Sequence, residues 1–221
     1  MNANQLYKKA FSAFGPQDWW PAETPWEVVV GAILTQQTSW KNVEKAIANL
    51  KAKGLVGNDP LKLANAPLKT IQARVKCTGF YRQKAGRLKK TAAHFAKNYA
   101  RIGDFFKKPV AEARKELRSL DGIGPETADS ILLYAAGKPV FVIDAYTHRV
   151  CERALGKKFK CYSDAQTFFE KAVPPDAEKY KEFHALIVEL AKRHCKTRPI
   201  CGGCPLEKGC AQFKASKKRG N

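Results

Sequence analysis

The sequence of 221 residues lacks any long apolar run. No segment approaches the ~18 consecutive apolar residues of a membrane-spanning helix, and residues 1–10 lack the apolar core of a signal peptide. With 44% apolar and 27% charged residues, the composition also excludes a disordered tail. We therefore expect a cytoplasmic globular protein with one large or two small domains, at about 150 residues per domain.

Acidic side chains are scarce relative to basic ones. Twenty Asp and Glu face forty Lys and Arg, which gives a formal net charge of +20. Such an excess favours a polyanionic partner, since basic residues gain affinity for nucleic acid by releasing condensed counterions. A solvated basic surface without a specific partner is the alternative. Charge alone does not indicate a reaction.

The seven cysteines do not indicate a disulfide framework, because their number is odd and no export signal precedes them. Three are isolated, and we expect Cys77, Cys151 and Cys161 to be small buried apolar residues. The other four crowd the C-terminal end. Their spacing is Cys195-x5-Cys201-x2-Cys204-x5-Cys210, which is typical of metal ligation.

No segment alternates apolar and polar residues with period two, whereas helical periodicity covers most of the chain. A first helix ends at Gly15-Pro16, and a second begins after Pro25 and is apolar on most sides. Further helical segments are predicted at 42–53, 61–66, 68–75, 83–99 and 110–120. The fold class is therefore predicted to be all-α, with no internal repeat and no long linker.

The most informative segment, residues 120–132, has the sequence LDGIGPETADSIL. Gly122 and Gly124 can adopt positive φ and allow close approach, and Ile123 is expected to point inward. Amides at the start of the following helix, near Thr127, can bind a phosphate. The pattern is typical of a helix-hairpin-helix element, which contacts the DNA backbone without reading sequence. An ordinary αα-hairpin is the alternative.

A second candidate is Asp144, which follows the apolar run at 140–143 and precedes a helical pattern. This arrangement places a carboxylate at a helix start on an apolar surface. Taken alone, the residue is better explained as a plain N-cap. Its position after the hairpin favours a functional role.

The hairpin and Asp144 occur in the order and spacing of the helix-hairpin-helix DNA glycosylase superfamily, and the chain resembles endonuclease III over nearly its full length. The similarity includes residues 33–38, 79–81 and 84–85, the hairpin, Asp144 and the terminal cysteines. It implies a monomer with a two-lobed, endonuclease III-like helical fold that acts on double-stranded DNA containing a damaged base. The implied lobes are residues 22–137, with the hairpin, and residues 1–21 plus 138–221, with an iron-sulfur loop.

The resemblance also implies roles for single residues. Asp144 matches the catalytic aspartate, which assists cleavage of the bond between C1′ and the base by stabilising oxocarbenium-like charge or orienting water. Gln37 matches the residue that fills the gap left by the extruded nucleotide, although it could simply bridge helices. The four terminal cysteines resemble a 4Fe-4S ligand set. Their first gap is one residue shorter than usual, and structural zinc is the alternative, with His194 as a reserve ligand.

Glu126 is the main departure from endonuclease III, which carries a catalytic lysine at this position. A carboxylate cannot form the imine that strand cleavage requires, so we expect a glycosylase without lyase activity. Glu126 could contact the base or hold water. A solvent-facing glutamate at a helix start is the alternative.

The N-terminal region resembles the 3-methyladenine DNA glycosylase III branch. In that branch, residues matching Trp19 and Trp40 sandwich the extruded base, and residues matching Trp20 and Pro21 shape the wall. An electron-rich aromatic slot suits a cationic 3-methylated purine, which is also a good leaving group. The tryptophans could instead be core residues. Unlike this chain, that branch commonly lacks the cysteine cluster.

Two other enzymatic specificities stay open, namely removal of thymine or uracil from mismatches and excision of adenine opposite an oxidised guanine. The adenine enzymes normally carry a further C-terminal domain, whereas only eleven residues follow Cys210 here. A hypothesis of another class is a non-catalytic DNA-binding protein. Loss of base release on Asp144→Asn, with DNA affinity retained, separates the enzyme from the binding protein.

Overall fold

The computed structural model describes residues 1–219, and side chains as far as residue 215. The fold is all-α, as predicted, and no strand occurs within the described residues. The α-helices are α1 (Ala3–Phe14), α2 (Pro25–Leu34), α3 (Trp40–Lys51), α4 (Leu61–Asn65), α5 (Leu68–Val75), α6 (Tyr81–Asn98), α7 (Ile102–Phe106), α8 (Val110–Ser119), α9 (Pro125–Tyr134), α10 (Ala145–Val150), α11 (Tyr162–Ala172), α12 (Ala177–Arg193) and α13 (Ala211–Arg219). A π-helical turn (Cys151–Leu155) continues α10, and two short 3-10 turns cover Lys76–Thr78 and Glu207–Gly209.

The backbone contacts divide the chain into two compact units, residues 1–19 with 139–221 and residues 20–138. The second unit is built around α2, whose residues Trp26 to Leu34 are all buried. Thr24 caps this helix, because its side chain accepts a hydrogen bond from the backbone of Glu27. Helices α3, α6, α7 and α9 pack against α2, so α2 is the core of this unit.

The first unit is built around α12, which packs against α1 and α10. A cluster of buried aromatic rings joins α11 and α12 to the extended segment that precedes α10. In it, the rings of Phe141 and Phe169 stack with centroids 4.5 Å apart, and Phe183 meets both rings edge-on at 5.4 Å. Because both ends of the chain contribute helices, this unit depends on contacts that are distant in sequence.

The basic segment 214–219 belongs to α13, which begins directly after Cys210 and packs against the π-helical turn. These contacts order its first turn. Cys161 is exposed rather than buried, since it precedes α11 at the surface, whereas Cys151 is buried and Cys77 is half-buried.

No helix in the described part of the chain has the length and apolar character needed to cross a bilayer. The longest helix, α6, carries six Lys and Arg side chains among its eighteen residues.

Candidate nucleic-acid interface and catalytic site

The predicted hairpin joins α8 to α9. Gly122 has a φ of 75°, and a Cβ atom there would lie 2.1 Å from Nε of Arg87. Gly124, the N-cap of α9, has a φ of −83° instead of the positive value we expected, and no atom lies within 4 Å of where its Cβ would be. Ile123 between them is buried, as predicted. Gly122 is therefore required by conformation and packing, whereas Gly124 leaves open space at the start of a helix.

Gln36 connects the hairpin to the loop between α2 and α3. Its side-chain Nε2 donates hydrogen bonds to the carbonyl of Gly122 at 2.8 Å and to Oγ1 of Thr127 at 3.1 Å. Its Oε1 accepts a hydrogen bond from Nη1 of Arg87 at 3.0 Å. A single amide side chain thus uses both its donor and its acceptor groups to fix three segments of this unit.

Gln37, the residue after Gln36, is exposed to solvent. It has a φ of 53°, a left-handed conformation that is uncommon outside glycine. Such strained backbone is retained where the surroundings determine it, and it is found at functional sites. The geometry therefore presents the Gln37 side chain outward from a loop that Gln36 holds in place.

Lys84 is a buried cation that hydrogen-bonds the end of α2, just before the loop that carries Gln36 and Gln37. Its Nζ donates to the carbonyl of Leu34 at 2.9 Å and to the carbonyl of Thr78 at 2.8 Å, and the side chain is almost fully buried. Burial lowers the pKa of this ammonium, and the charge of Arg87 lowers it further. Lys84 thereby ties the end of α2 to the turn before Phe80, an exposed residue with a φ of 45°.

Three of the predicted base-pocket residues come together in the second unit. The Trp20 ring packs edge-on against Trp40 with centroids 5.3 Å apart, and it lies 4.8 Å from the Tyr134 ring with 32° between the planes. Pro21 and Trp40 line one groove together with Glu23, Glu27, Glu44 and Lys51. Nζ of Lys51 pairs with Glu23 at 3.0 Å and with Glu27 at 2.7 Å, and Glu44 accepts a hydrogen bond from Nε1 of Trp40 at 2.9 Å.

Glu126 lies in the first turn of α9 and is exposed. Its backbone carbonyl accepts a hydrogen bond from Oγ of Ser130 at 2.8 Å. A carboxylate in this position interacts favourably with the helix dipole. The structure thus places Glu126 on the hairpin's second helix, where the sequence predicted it.

Asp144 stands at the end of the extended segment 140–143 and is the N-cap of α10, as predicted. Side chains of α11 satisfy the backbone of this segment, since Glu170 accepts from the amide of Phe141 at 3.0 Å and Gln166 donates to the Phe141 carbonyl at 2.8 Å. Together with the aromatic cluster around Phe141, these bonds fix the position of the backbone that precedes Asp144.

The two oxygens of the Asp144 carboxylate have different partners. Oδ1 accepts hydrogen bonds from the backbone N of Thr147 at 2.7 Å and from its Oγ1 at 2.8 Å. Oδ2 lies 3.6 Å from Nε2 of His184, which is buried on α12. Burial opposes ionisation of Asp144, but the neighbouring His184 and the Thr147 bonds outweigh it and hold the pKa below its ordinary value.

Trp19, a fourth predicted base-pocket residue, lies in the first unit and packs against His184. The two ring centres are 5.3 Å apart with an angle of 44° between the planes, and Nζ of Lys192 is 5.8 Å from the Trp19 ring centre. Trp19, His184 and Asp144 therefore form a continuous row of side chains. The two residues that precede and follow Trp19, Asp18 and Trp20, both have positive φ.

The four clustered cysteines line one cavity in the first unit. About 390 Å³ of space, part of it open to solvent, lies between them and apolar side chains that include Val150, Leu190 and Leu206. Burial, as the largest cause, raises the pKa of Cys201 and Cys204, and the other thiols of the group raise it further. No three His, Cys, Asp or Glu side chains among the described residues are spaced to hold a single metal ion.

Two arginines on α10 and its π-helical extension hold the first cysteine of this loop. Nε of Arg149 donates to the carbonyl of Cys195 at 2.7 Å, and Arg153 donates to the carbonyls of Lys196 and Thr197. Nη1 of Arg153 also lies 3.8 Å from Sγ of Cys195. The site combines four soft sulfur donors, an apolar floor and a cation beside a sulfur, and these features fit an anionic iron-sulfur cluster.

A protein-family model described as the HhH-GPD superfamily of base excision DNA repair proteins matches residues 30–175. The matched range contains both the hairpin and Asp144. The chain belongs to this superfamily.

Proteins with similar sequences carry names that state different glycosylase activities. A Methanocaldococcus jannaschii protein assigned as a DNA repair glycosylase is 45% identical over 93% of this chain and 94% of its own length. A thymine/uracil-DNA glycosylase of Pyrobaculum aerophilum is 30% identical over 96% of this chain and 91% of its own length.

Solved structures share the fold. The 3-methyladenine DNA glycosylase of H. pylori, bound to 1,N6-ethenoadenine, is 31% identical, has a TM-score of 0.78 and covers 87% of this chain and 98% of its own. A non-covalent endonuclease III–DNA complex has a TM-score of 0.82 over 99% of both chains at 23% identity. These similarities assign this HhH-GPD chain the endonuclease III-like fold and DNA glycosylase chemistry in base excision repair.

Sequence reasoning missed two residues of this HhH-GPD site. Gln36 was noted only as part of the similar segment, and His184 belonged to no motif. The one available signal for His184 was its place among Tyr180, Ile187 and Ala191, the apolar residues that bury one face of α12. A histidine on such a face needs a polar partner, and the sequence does not say which one.

Proposed function

We propose that the protein is a monofunctional DNA N-glycosylase that hydrolyses the N-glycosidic bond of alkylated purines of the 3-methyladenine type, flipped out of duplex DNA. The observation that carries this proposal is the carboxylate of Asp144. It is largely buried, its first oxygen is fixed by two hydrogen bonds and its pKa is lowered, so it stays ionised at neutral pH. An ionised, oriented carboxylate stabilises the positive charge that develops as the bond to the base breaks, or orients the attacking water.

DNA is held by the second unit in this proposal. The open helix start at Gly124, with Gly122, Ile123 and Thr127, offers backbone amides to a phosphate of the duplex. The side chain of Gln37, which points outward from its strained loop, fills the gap that the flipped nucleotide leaves. The partner is thus double-stranded DNA, the protein acts on it as a monomer, and its proposed location is the nucleoid.

Glu126 supports the monofunctional part of the proposal. A lysine amine at this position would attack C1′ and form a Schiff base, which leads to strand cleavage. The carboxylate of Glu126 has no such chemistry, and water is left as the nucleophile. The expected product is an intact strand with an abasic site.

The aromatic residues support an alkylated purine as substrate. Trp20 and Trp40 pack together next to Pro21. A 3-methylated purine is cationic, so electron-rich aromatic faces attract it more than they attract an undamaged base. The similarity to the H. pylori 3-methyladenine enzyme points to the same class of substrate. We also assign Trp19, in the first unit, and Glu126, in the second, to recognition of the base.

The proposed cofactor is a 4Fe-4S cluster held by Cys195, Cys201, Cys204 and Cys210. A cluster is larger than a single ion, so its ligands surround a cavity rather than converge on one point, which agrees with the arrangement of the four thiols. When bound, it would crosslink the C-terminal loop and supply no step of the hydrolysis. Structural zinc is the alternative cofactor.

The experiment that tests the function measures free base released from a duplex treated with a simple methylating agent, by chromatography, together with nicking of the same strand. We expect 3-methyladenine release without nicking. Asp144→Asn should lower the release rate by at least about 100-fold, with DNA affinity retained, because the amide cannot stabilise positive charge. Equal inactivity of wild type and variant on a panel of damaged duplexes would favour a binding protein over an enzyme.

A mismatch thymine/uracil glycosylase is the second candidate, favoured by the similarity to the Pyrobaculum aerophilum enzyme. In the same assay it would release thymine or uracil from mismatched duplexes and no methylated purine. That result would keep the role of Asp144 and discard the alkylpurine pocket.

A further inference from the structure

A buried histidine lies beside the carboxylate to which we assign catalysis. His184 is 3% exposed, and its Nε2 is 3.6 Å from Oδ2 of Asp144. We propose that His184 is a positioning residue for Asp144, which fixes the orientation and the charge of its carboxylate. This inference rests on the proposed function, because it gives Asp144 the catalytic role.

The two oxygens of the Asp144 carboxylate are contacted by different elements. Thr147 holds Oδ1 from within α10, through its backbone N and its hydroxyl. These two bonds anchor Oδ1, whereas the neighbour of Oδ2 belongs to another element. His184 supplies this contact from α12. Bonds that are somewhat long in a free enzyme commonly tighten in the substrate complex, so 3.6 Å is compatible with a working contact.

The imidazole is itself firmly held. Its neighbour in sequence, Phe183, belongs to the aromatic cluster with Phe141 and Phe169. The Trp19 ring covers the imidazole at 5.3 Å. Because the segment before Asp144 and the helix that carries His184 share this aromatic core, packing holds the imidazole in place beside the carboxylate.

Electrostatics gives the contact a measurable consequence. Burial alone would raise the pKa of Asp144, whereas the contact with His184 and its positive charge when protonated lower it, with Thr147 contributing less. Removal of His184 therefore leaves the burial effect less opposed, and the pKa of Asp144 rises. Since the reaction needs the carboxylate, the acid limb of the rate profile moves to higher pH.

Several other charged side chains on α12 and on the helices packed against it are engaged away from Asp144. On α10, Arg149 donates to the Cys195 carbonyl and His148 is exposed. On α12, Lys192 lies over Trp19 and Glu182 accepts from the amide of Gln17. On α1, Tyr7 packs against Phe183. A shift of the acid limb on changing His184 is thus attributable to the pair with Asp144.

Two variants of the full-length protein separate orientation from structure. His184→Phe keeps a ring of similar size and removes the N–H group, whereas His184→Gln keeps a neutral donor near the position of Nε2. His94→Gln is the matched control, because His94 pairs with Glu116 in the other unit. Single-turnover base release is measured from neutral pH down to about pH 3, because the acid limb follows the Asp144 carboxylate, whose pKa lies below its ordinary value. The probe is the methylated duplex, or a G·T duplex if only thymine is released, and DNA affinity is measured in parallel.

We expect His184→Phe to release base about 10- to 100-fold more slowly at neutral pH, with DNA affinity unchanged. His184→Gln should recover most of this rate. The acid limb should lie lowest in wild type, higher in His184→Gln and highest in His184→Phe, while His94→Gln follows wild type.

A wild-type rate and pH profile in His184→Phe would overturn the positioning role and leave the function of Asp144 intact. Full activity in Asp144→Asn would instead overturn the proposed function. If circular dichroism shows that His184→Phe is unfolded, His184→Gln decides alone. A shifted acid limb then supports the proposal, and a profile that superimposes on wild type refutes it.

Discussion

Asp144 combines a structural and a chemical role in one side chain. Oδ1 caps α10 through Thr147, as any N-cap aspartate does, and Oδ2 lies beside His184. The two explanations that the sequence left open, cap or catalyst, are therefore compatible. A cap that is fixed by its own helix gives a carboxylate of defined position, which is what an electrostatic catalyst requires.

At the scale of single residues, Glu126 offers the sharpest test of reaction type. Glu126→Lys restores the amine found at the matching position of endonuclease III. Because Glu126 is exposed, the change should cost little stability, about 0.3–1 kcal/mol from the helix dipole. We expect borohydride to trap a covalent complex of this variant with damaged DNA and to trap none with wild type.

Glu126→Gln is the control for Glu126→Lys, since it removes the charge without adding an amine. It should give no trapped complex. Trapping of wild type as efficiently as of the lysine variant would contradict the monofunctional assignment. Absence of trapping in Glu126→Lys would remove Glu126 from the proposed base pocket.

At the scale of elements, helices were easier to predict than their contacts. The segment 68–75 coincides with α5, and other predicted helices end within two residues of the observed ends because apolar periodicity marks them. The five residues of α7 are too few to show a period, so this helix was missed, and no bounds were predicted for α11 or α12. Contacts such as Gln36 with Gly122, 86 residues apart, or His184 with Asp144 depend on tertiary packing that no local pattern encodes.

The contact between Gln36 and the hairpin predicts that two elements act as one DNA-binding surface. Gln36→Ala would leave Arg87 and the Gly122 carbonyl without this partner and release the Gln37 loop. We expect DNA affinity to fall by about tenfold, together with a stability loss of about 1–2 kcal/mol. Fluorescence anisotropy with a duplex that carries an abasic-site analogue measures the affinity, and urea unfolding measures the stability.

Gln72→Ala on α5 is a suitable comparison for Gln36→Ala, because Gln72 lies outside the hairpin network. It should bind DNA like wild type. If Gln36→Ala loses stability but binds DNA normally at low temperature, Gln36 merely stabilises the unit and does not position the loop for DNA.

At the scale of the whole molecule, the net charge of +20 and the cysteine spacing indicated DNA and a metal before any fold was known. Neither pattern could indicate how the segments of the first unit are held together. Its segments come from both chain ends, and the loop from Cys195 to Cys210 has a single 3-10 turn as regular structure. Hydrogen bonds from Arg149 and Arg153 hold the start of this loop, but the remainder needs another crosslink.

A bound cluster should therefore contribute to the stability of this unit, since metal affinity is also folding free energy when the unfolded chain has no site. We expect protein purified without oxygen to contain about four iron and four sulfide per chain and to absorb visible light, which zinc does not. Cys204→Ser should lower the free energy of unfolding by more than about 3 kcal/mol in thermal melts. Cys161→Ser, at an exposed thiol outside the cavity, should melt like wild type. If the purified protein contains one zinc per chain instead, the bound metal is a structural ion and not a cluster. If Cys204→Ser melts like wild type, the loop is held without any metal.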